Sequence, residues 1–176
     1  MLYLASSLTA HRAIFFAGAL NRDLLPLTIT ADAPSPSSDS ISPLYNIAEL
    51  AQYNIPSVIT TDDGSYAFHG LVTQALEIYL DHFFPLSPVP SPLSPTIYTC
   101  GPEPMMKRVA AIALAHNLPC QISVERAMAC GMGTCQSCII RVKKPDPAMP
   151  PLPGKDSCYR LACTDGPIFP ASDLLW

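Results

Sequence analysis

Residues 128–138 read Met-Ala-Cys-Gly-Met-Gly-Thr-Cys-Gln-Ser-Cys, a stretch that carries three cysteines in the pattern C-x4-C-x2-C. The three thiols belong to Cys130, Cys135 and Cys138. Cysteines spaced this closely favour a compact loop whose sulfurs turn toward one point. The pattern is the first part of a plant-type [2Fe–2S] ligand run, which one more distant cysteine completes. The stretch therefore predicts a cysteine-ligated iron–sulfur cluster.

The small residues of the loop suit such a cluster. Gly131 and Gly133 stand between the first two cysteines. Glycine adopts positive φ at little cost and lets the backbone approach an inorganic sulfide, where N–H groups tune the reduction potential. Thr134 and Ser137 add small side chains that leave room for the cluster.

Two candidates compete for the fourth ligand. Cys158 and Cys163 are separated from Cys138 by 19 and 24 residues. Residues 139–143 and 159–163 are typical of two β-strands, and a hairpin between them would return Cys163 toward the loop. Spacing alone leaves both candidates open.

A structural zinc site is the main chemical alternative. Cys135 and Cys138 form one close pair and Cys158 and Cys163 another, which is the arrangement of a four-cysteine zinc site. That interpretation leaves Cys130 and both loop glycines without a role. The spacing therefore favours iron and sulfide over zinc, although zinc stays open at this point.

Composition narrows the class of protein. The 176 residues include seven cysteines and carry a net charge of −4, with 49% hydrophobic residues. Four thiolate ligands require a reducing environment, so we expect a cytoplasmic protein. The apolar runs are far shorter than the roughly 20 residues of a membrane span, and no basic block exists to hold nucleic acid. We expect no membrane and no nucleic-acid partner.

The rest of the chain alternates between strand and helix patterns. Such alternation is typical of a parallel α/β sheet whose ligand crevice lies at the carboxyl ends of the strands. We expect helices at 2–12, 44–53, 72–83 and 104–116, and strands at 13–18, 57–60, 96–99 and 121–124. Segments rich in proline, at 31–43, 85–95 and 145–154, are predicted to be loops.

Two turns at the predicted crevice are candidates for nicotinamide nucleotide contacts. Each follows a predicted strand, although a tight turn without a ligand is an equal alternative for the first of them. Carboxylates are otherwise scattered and no Ser-His-Asp set is arguable, so no catalytic residue is assigned. The candidate nucleotide contacts are Thr61, Asp62, Asp63 and Gly64 after one strand, and Cys100, Gly101 and Pro102 after another.

Three of these motifs carry a family resemblance. The residues from Arg126 to Cys138, together with Cys-Thr-Asp-Gly-Pro at 163–167, resemble the C-terminal cluster domain of the electron-transfer subunit of type B dihydroorotate dehydrogenase. Cys-Gly-Pro-Glu-Pro-Met at 100–105 is similar to a turn of ferredoxin reductase-like nicotinamide domains, and Thr-Asp-Asp-Gly-Ser-Tyr at 61–66 is similar to a segment of the same subunit. The resemblance implies Cys163 as the fourth ligand.

The resemblance also implies a fold, cofactors and partners. It implies a partial ferredoxin reductase-like nicotinamide-binding parallel sheet at 1–120 and a small [2Fe–2S] domain with a β-hairpin at 121–176. In this family an FMN-containing catalytic subunit oxidises dihydroorotate, and electrons cross the cluster to FAD and then NAD. A hetero-oligomer with that flavoprotein is therefore expected. Subunits of other NAD(P)H-linked iron–sulfur flavoproteins and a non-enzymatic cysteine module are the alternatives.

Two expectations concern what surrounds the cluster. The family's flavin-binding barrel and glycine-rich strand turn have no counterpart in this sequence, so we expect an N-terminally truncated chain that binds no stoichiometric FAD and is not a complete enzyme alone. Met128, Met132 and Ile168 flank the proposed ligands. They predict either an apolar docking rim around a shallow cluster or part of the small domain's own core.

Overall fold

The computed structural model describes residues 2–8, 12–30, 41–84, 95–143 and 157–176. The chain forms two compact units, Met1–Ser87 and Pro88–Trp176. The predicted loop at 145–154 lies outside the described residues, as do most residues of those at 31–43 and 85–95. No helix in the described ranges is both long enough and apolar enough to cross a membrane.

The first unit is built on a three-stranded parallel sheet in the order β1-β2-β3. Its central strand β2 is a run of five buried residues, as expected of a parallel strand covered on both faces. The elements of this unit are α1 (Leu2–Ser7), β1 (Phe15–Ala19), a 3-10 turn (Arg22–Leu24), α2 (Ala48–Ala51), β2 (Ser57–Thr61), β3 (Phe68–His69) and α3 (Val72–Phe83).

Alternate residues of β2 enter two separate apolar clusters. Ile59 belongs to a cluster that includes Leu50 of α2, whereas Val58 belongs to one that includes Ala75 of α3. This alternation follows from the two-residue period of a strand. Helices therefore cover both faces of the sheet, which leaves the carboxyl ends of its strands as the open edge.

The second unit contains a mixed sheet in the order β4-β5-β8 and a separate hairpin of β6 and β7. Strands β4 and β5 are parallel, whereas β8 runs antiparallel to β5. Helix α4 contacts both β4 and β5 and buries Met106, Val109, Ala110, Ile112 and Ala113. The elements are β4 (Ile97–Cys100), α4 (Glu103–Ala115), β5 (Cys120–Ser123), β6 (Ile139–Val142), β7 (Cys158–Leu161) and β8 (Ile168–Pro170).

The C-terminal segment joins the mixed sheet to the hairpin. After β8 has paired with β5, Leu174 forms an antiparallel bridge with Val142 of β6. The Leu175 N–H then donates to the Arg141 carbonyl over 3.0 Å. The cysteine-bearing hairpin is thereby connected to the mixed sheet, whose strand β4 ends at Cys100.

Most elements lie where the sequence predicts them. Helix α3 spans the predicted residues, and the predicted hairpin is present as β6 and β7. Helix α1 ends earlier, at Ser7, and α2 is a single short turn because Leu44 instead bridges to Ser57. Strands β3 and β8 were not predicted, since strands of two or three residues carry little periodic signal.

The predicted boundary at residue 120 falls inside the second compact unit. There β5 pairs with β4 on one side and with β8 on the other, so its hydrogen bonds join residues from both sides of that boundary. The division into a nucleotide-binding domain at 1–120 and a cluster domain at 121–176 stays a prediction about function.

Candidate metal centre

The cysteine loop has a tightly turned backbone. Gly131, Gly133 and Gln136 all have positive φ, at 68°, 87° and 57°. The Cys135 N–H points back across the loop and donates to the Cys130 sulfur, with 3.4 Å between nitrogen and sulfur. The loop therefore turns its first two cysteines toward each other through its own backbone.

Two strands bring the remaining cysteines together. Cys138 immediately precedes β6, and Ile139 pairs with Leu161 of β7. The Ala162 N–H donates to the Cys138 carbonyl over 3.0 Å, which carries Cys163 beside the loop. The Cys138 and Cys163 thiols are hydrogen-bonded, and Cys163 also interacts electrostatically with Cys130.

Cys158 lies at the other end of the hairpin. It pairs with Val142, which is four residues along the chain from Cys138. At about 3.3 Å per strand residue, this places it on the order of 13 Å from the cysteine loop. Cys158 is buried at 1% exposure within β7. The register therefore separates it from the group formed by Cys130, Cys135, Cys138 and Cys163.

Hydrogen bonds prepare two of the thiols for ligation. Contact with the Ser137 side chain, helped by backbone hydrogen bonds, lowers the pKa of Cys135 to about 6. A hydrogen bond from the Cys163 backbone lowers the pKa of Cys138, while contact with the Cys138 side chain raises the pKa of Cys163. Metals and iron–sulfur clusters bind thiolates, so the lowered values favour ligation.

The donor set fits a cysteine-ligated cluster. Within the described ranges, no three His, Cys, Asp or Glu side chains already stand close enough together to hold a single metal ion. The four cysteines instead form two contacting pairs, Cys130 with Cys135 and Cys138 with Cys163. Four cysteine thiolates are the ligands that a [2Fe–2S] cluster takes, and when bound such a cluster transfers one electron at a time.

The apolar residues around the loop are exposed. Met128, Met132 and Ile168 expose 50%, 73% and 58% of their surface. They therefore do not fill the core of the small domain, which was one of the two alternatives. We call these three residues the apolar rim.

A cleft of about 590 Å³ lies between the carboxyl ends of β4 and β5 and the start of the cysteine loop. The cleft is shallow and largely open to solvent. Its walls are formed by Cys100, Ser123, Val124, Glu125, Arg126, Ala127, Met128 and Pro167. Of the predicted nucleotide contacts in this unit, only Cys100 lines the cleft.

The residues after Cys100 form the entry to α4. Gly101 has φ of 149°, and a Cβ there would lie 2.8 Å from the Met105 Cε. Pro102 is the N-cap residue of the helix. On the first turn of α4, Glu103 accepts from Arg126 of the cleft over 3.2 Å. The hydrogen bond with Lys107 is the largest cause that lowers the pKa of Glu103, and the charge of Arg126 lowers it further. This carboxylate therefore stays charged beside the cleft.

The other predicted contacts belong to the first unit and form a braced turn. Thr61 is fully buried, and its hydroxyl both donates to the Tyr66 carbonyl over 2.7 Å and accepts from the Tyr66 N–H over 3.0 Å. Its side chain therefore stabilises the turn rather than facing solvent. Asp62 and Asp63 are exposed, and the Ser65 N–H donates to Asp63 over 2.9 Å.

Gly64 completes that turn at a position that disfavours any other residue. Its φ is 73°, and a Cβ would lie 2.9 Å from the His69 ring. Hydrogen bonds with Ser65, side chain first, lower the pKa of Asp63, so the turn presents a carboxylate at the open edge of its sheet. Beside it, the Arg22 guanidinium lies 5.2 Å from the centre of the Tyr66 ring.

With this geometry established, comparison with known proteins identifies the cluster-bearing part. Residues 125–175 match the model of the family described as the iron-sulfur cluster binding domain of dihydroorotate dehydrogenase B. Residues 125–175 belong to the family of iron–sulfur cluster binding domains of dihydroorotate dehydrogenase B. The prediction of an iron–sulfur cofactor is thereby confirmed.

Relatives that align with about two thirds of the chain carry the same family name. The chain is 34% identical over 119 residues to the dihydroorotate dehydrogenase B (NAD(+)) electron transfer subunit of Caldanaerobacter subterraneus subsp. tengcongensis, covering 68% of this chain and 40% of the relative. It is 38% identical over 112 residues to the probable subunit of the same name from Methanocaldococcus jannaschii, covering 63% and 34%. The matches span less than half the length of these relatives.

A solved structure shares the fold over nearly the entire chain. The structure of the NADH-dependent reduced ferredoxin-NADP oxidoreductase, described for flavin-based electron bifurcation, superposes with a TM-score of 0.60 at 23% identity. It covers 98% of this chain and 48% of that one. Together with the match to the dihydroorotate dehydrogenase B cluster domain, this likeness confirms the predicted α/β class, with a parallel sheet and a small iron–sulfur domain.

Sequence reasoning missed two side chains of the site. Ser137 was assigned only a small size, yet its hydroxyl contacts Cys135 and two backbone groups of the loop. Arg126 begins the family-like motif but was given no role of its own, yet it lines the cleft and pairs with Glu103. The sequence did offer a signal for Ser137, because a polar residue inside a C-x2-C turn must place its side chain near the cysteines.

Proposed function

We propose that this chain is the electron-relaying part of an NAD-linked dihydroorotate dehydrogenase. A [2Fe–2S] cluster is held by Cys130, Cys135, Cys138 and Cys163. The observation that carries the proposal is the grouping of these four thiols by one loop and one hairpin, within a domain of the matching family. Two of these thiols, Cys135 and Cys138, have lowered pKa values, which suits them to ligating iron.

The overall reaction sets what the relay must carry. Oxidation of dihydroorotate to orotate releases two electrons and two protons, and reduction of NAD⁺ to NADH takes both electrons and one proton. A cluster that accepts one electron at a time must therefore turn over twice for each substrate molecule. We propose FMN in the catalytic partner and FAD near this chain as the two-electron carriers on either side, because flavins exchange electrons singly or in pairs.

The cleft beside Cys100 is suited to the acceptor side of the relay. Cys100, at the end of β4, and Met128, at the start of the cysteine loop, both line it. A redox-active ring bound there would lie between the sheet of β4 and β5 and the cluster ligands. We assign Cys100 to this ring site, and Gly101 and Pro102 to the turn that follows it. The turn of Thr61, Asp62, Asp63 and Gly64 in the first unit is a separate candidate for nucleotide contacts.

The apolar rim supports a partner on the cluster side. Three apolar side chains are exposed, Met128 and Met132 in the cysteine loop and Ile168 in β8, and Cys135 of the loop is itself exposed. A catalytic subunit docked on this rim would exclude water from the ligands and shorten the path for electrons. The residues of the apolar rim, and not the cysteines, would supply the contact area.

The proposal is tested by reconstituting the full chain anaerobically with iron and sulfide. We expect two iron and two sulfide ions per chain and, after reduction, the electron paramagnetic resonance signal of a spin-½ [2Fe–2S] centre. The chain is then mixed with a dihydroorotate-oxidising flavoprotein subunit. We expect dihydroorotate to reduce the cluster, whereas a non-oxidisable substrate analogue leaves it oxidised.

Two results would contradict the proposal. Stoichiometric zinc with no bound sulfide, in protein purified without oxygen, would favour the zinc alternative. A cluster that forms and is reduced by dithionite, but stays oxidised when dihydroorotate and a partner subunit are present, would assign the chain to a different iron–sulfur oxidoreductase.

A further inference from the structure

A single hydroxyl links the two sides of the cysteine loop. The Ser137 Oγ accepts from the Ala129 N–H over 3.3 Å and donates to the Ala127 carbonyl over 3.2 Å. It also lies 3.2 Å from the Cys135 sulfur, in a contact where either atom can be the donor. Ser137 is therefore the one side chain in the described part of the loop that contacts both its entry and a candidate ligand.

Two of these three contacts, with the Ala127 carbonyl and the Cys135 sulfur, compete for the serine hydrogen. A serine hydroxyl has one hydrogen to donate and two lone pairs to accept with. While Cys135 carries a thiol hydrogen, that S–H donates to the Ser137 oxygen, and the serine O–H donates to the Ala127 carbonyl. A cysteine sulfur that ligates iron has no hydrogen, so it acts only as an acceptor. The serine hydrogen then has two acceptors, and the charged sulfur is the stronger one.

We propose that Ser137 is a positioning residue of the cluster site, whose hydroxyl braces the loop and donates to the Cys135 sulfur when that sulfur ligates iron. The inference rests on the proposed function, because it takes Cys135 as a ligand. Hydrogen bonds to cluster sulfurs withdraw negative charge and favour the reduced state. Ser137 therefore raises the reduction potential of the centre.

The exposed position of Ser137 makes this effect adjustable. Ser137 and Cys135 are both exposed in the chain by itself. Water can compete for the serine hydrogen there, whereas a partner covering the loop would remove that competition and strengthen the hydrogen bond. The hydroxyl thus links coverage of the cluster loop to the potential of the cluster.

The test compares Ser137→Ala with wild type in the reconstituted full chain. Thr134→Ala is the matched control, because Thr134 is in the same loop and its hydroxyl forms no hydrogen bond to any described residue. We expect Ser137→Ala to lower the midpoint potential measured by spectroelectrochemical titration, and Thr134→Ala to leave it unchanged. We also expect the iron–sulfur stretching bands in resonance Raman spectra to shift in deuterated buffer for wild type but less for Ser137→Ala.

The outcomes separate this inference from the proposed function. Wild type that binds no iron and sulfide contradicts the proposed function itself. If wild type holds the cluster but Ser137→Ala has the same midpoint potential and the same deuterium shift, the role of Ser137 is overturned. The proposed function is not affected by that result. If Ser137→Ala retains no cluster, Ser137→Thr is compared with Ser137→Val. If Ser137→Thr retains the cluster and Ser137→Val does not, a role of the hydroxyl is supported. If both variants lose the cluster equally, that role is overturned.

Discussion

The Cys135 N–H donates a hydrogen bond to the Cys130 sulfur across 3.4 Å. This bond joins two cysteines through the backbone of the loop, and the loop closes on itself because Gly131 and Gly133 adopt positive φ between them. A backbone N–H that donates to a cysteine sulfur is a typical contact of an iron–sulfur ligand. The loop is therefore arranged for thiolate ligands by its backbone as well as by its side chains.

We predict that four cysteines hold the cluster and that Cys158 does not. Serine at any ligand position removes a thiolate, so each variant should lose most of its bound iron and its visible absorption after reconstitution. The ligand variants are Cys130→Ser, Cys135→Ser, Cys138→Ser and Cys163→Ser. Cys158→Ala, which shortens a buried side chain at the far end of the hairpin, is the matched control and should retain the cluster.

The fourth ligand is the most discriminating part of that series. If Cys158→Ala loses iron while Cys163→Ser retains it, Cys158 is the fourth ligand and the assignment of Cys163 is wrong. Circular dichroism of each variant separates the loss of a ligand from the loss of the fold.

The cysteine pKa values predict a pH-dependent pattern of alkylation in the chain freed of metal. Contact with Ser137 lowers the pKa of Cys135 to about 6, so its reactive thiolate forms as pH rises through about 6 and dominates at pH 7. Burial raises the pKa of Cys120 to about 11, so that thiol stays protonated throughout. Iodoacetamide at pH 7, followed by peptide mass spectrometry, should label Cys135 quickly and Cys120 hardly at all.

The pH profile provides the check on this interpretation. The alkylation rate at Cys135 should be half its maximum near pH 6 and should fall below that pH. A midpoint near the ordinary value for cysteine would show that the Ser137 contact does not stabilise the thiolate.

A buried hydrogen-bond chain should contribute to the stability of the first unit. Asn46 donates to the Tyr66 hydroxyl over 3.0 Å and accepts from the Ser57 hydroxyl over 2.8 Å, and all three residues are buried. Tyr66→Phe leaves the Asn46 amide without this acceptor, which costs about 1–3 kcal/mol of unfolding free energy. Tyr45→Phe is the control, because Tyr45 is 61% exposed. Urea unfolding should show a lower midpoint for Tyr66→Phe only.

The turn at Gly64 predicts a second loss of stability. Alanine there would hold an L-residue at φ of 73° and place its Cβ 2.9 Å from the His69 ring. The backbone alone costs about 1–2 kcal/mol. Asp62→Ala changes an exposed residue of the same turn and should unfold like wild type. If Gly64→Ala also unfolds like wild type, the turn geometry described here is wrong.

The sequence predicts this fold well where long periodic patterns or rigid motifs exist. The apolar period of residues 72–83 predicted α3, and the cysteine spacing with two strand patterns predicted the hairpin. Strand β8 was missed because three residues carry no measurable period, and its antiparallel pairing with β5 depends on tertiary contacts. Leu44 was predicted to be helical but bridges to Ser57, because sheet pairing outweighs local propensity there.

The site was predictable in its ligand types but not in its supporting contacts. Spacing indicated three cysteines, and only the register of β6 and β7 shows which later cysteine returns to them. The role of Ser137 depends on where one Oγ points, which a short polar residue in a turn does not reveal. Thr61 was proposed as a nucleotide contact from its place after a strand, yet its hydroxyl is used within the turn.

The last prediction concerns the apolar rim and its partner. Met132 is 73% exposed beside the cysteine loop, and burying a methionine side chain in an interface contributes about 1.5–3 kcal/mol. Met132→Glu replaces that gain with the cost of desolvating a carboxylate, so we expect the affinity for a catalytic flavoprotein subunit to fall by about tenfold or more. The cluster itself should form normally, because Met132 supplies no ligand.

Leu114→Glu is the matched control for that experiment. Leu114 is 53% exposed in the same unit, on α4, and lines a small cleft with Cys120 at the amino end of β5. It carries the same change of charge on a surface away from the cysteine loop. Affinity is measured by biolayer interferometry with the reconstituted full chain, and the rate of cluster reduction by dihydroorotate is followed by absorbance. Equal weakening by both variants would indicate a general charge effect, and unchanged binding by Met132→Glu would exclude the rim as the docking surface.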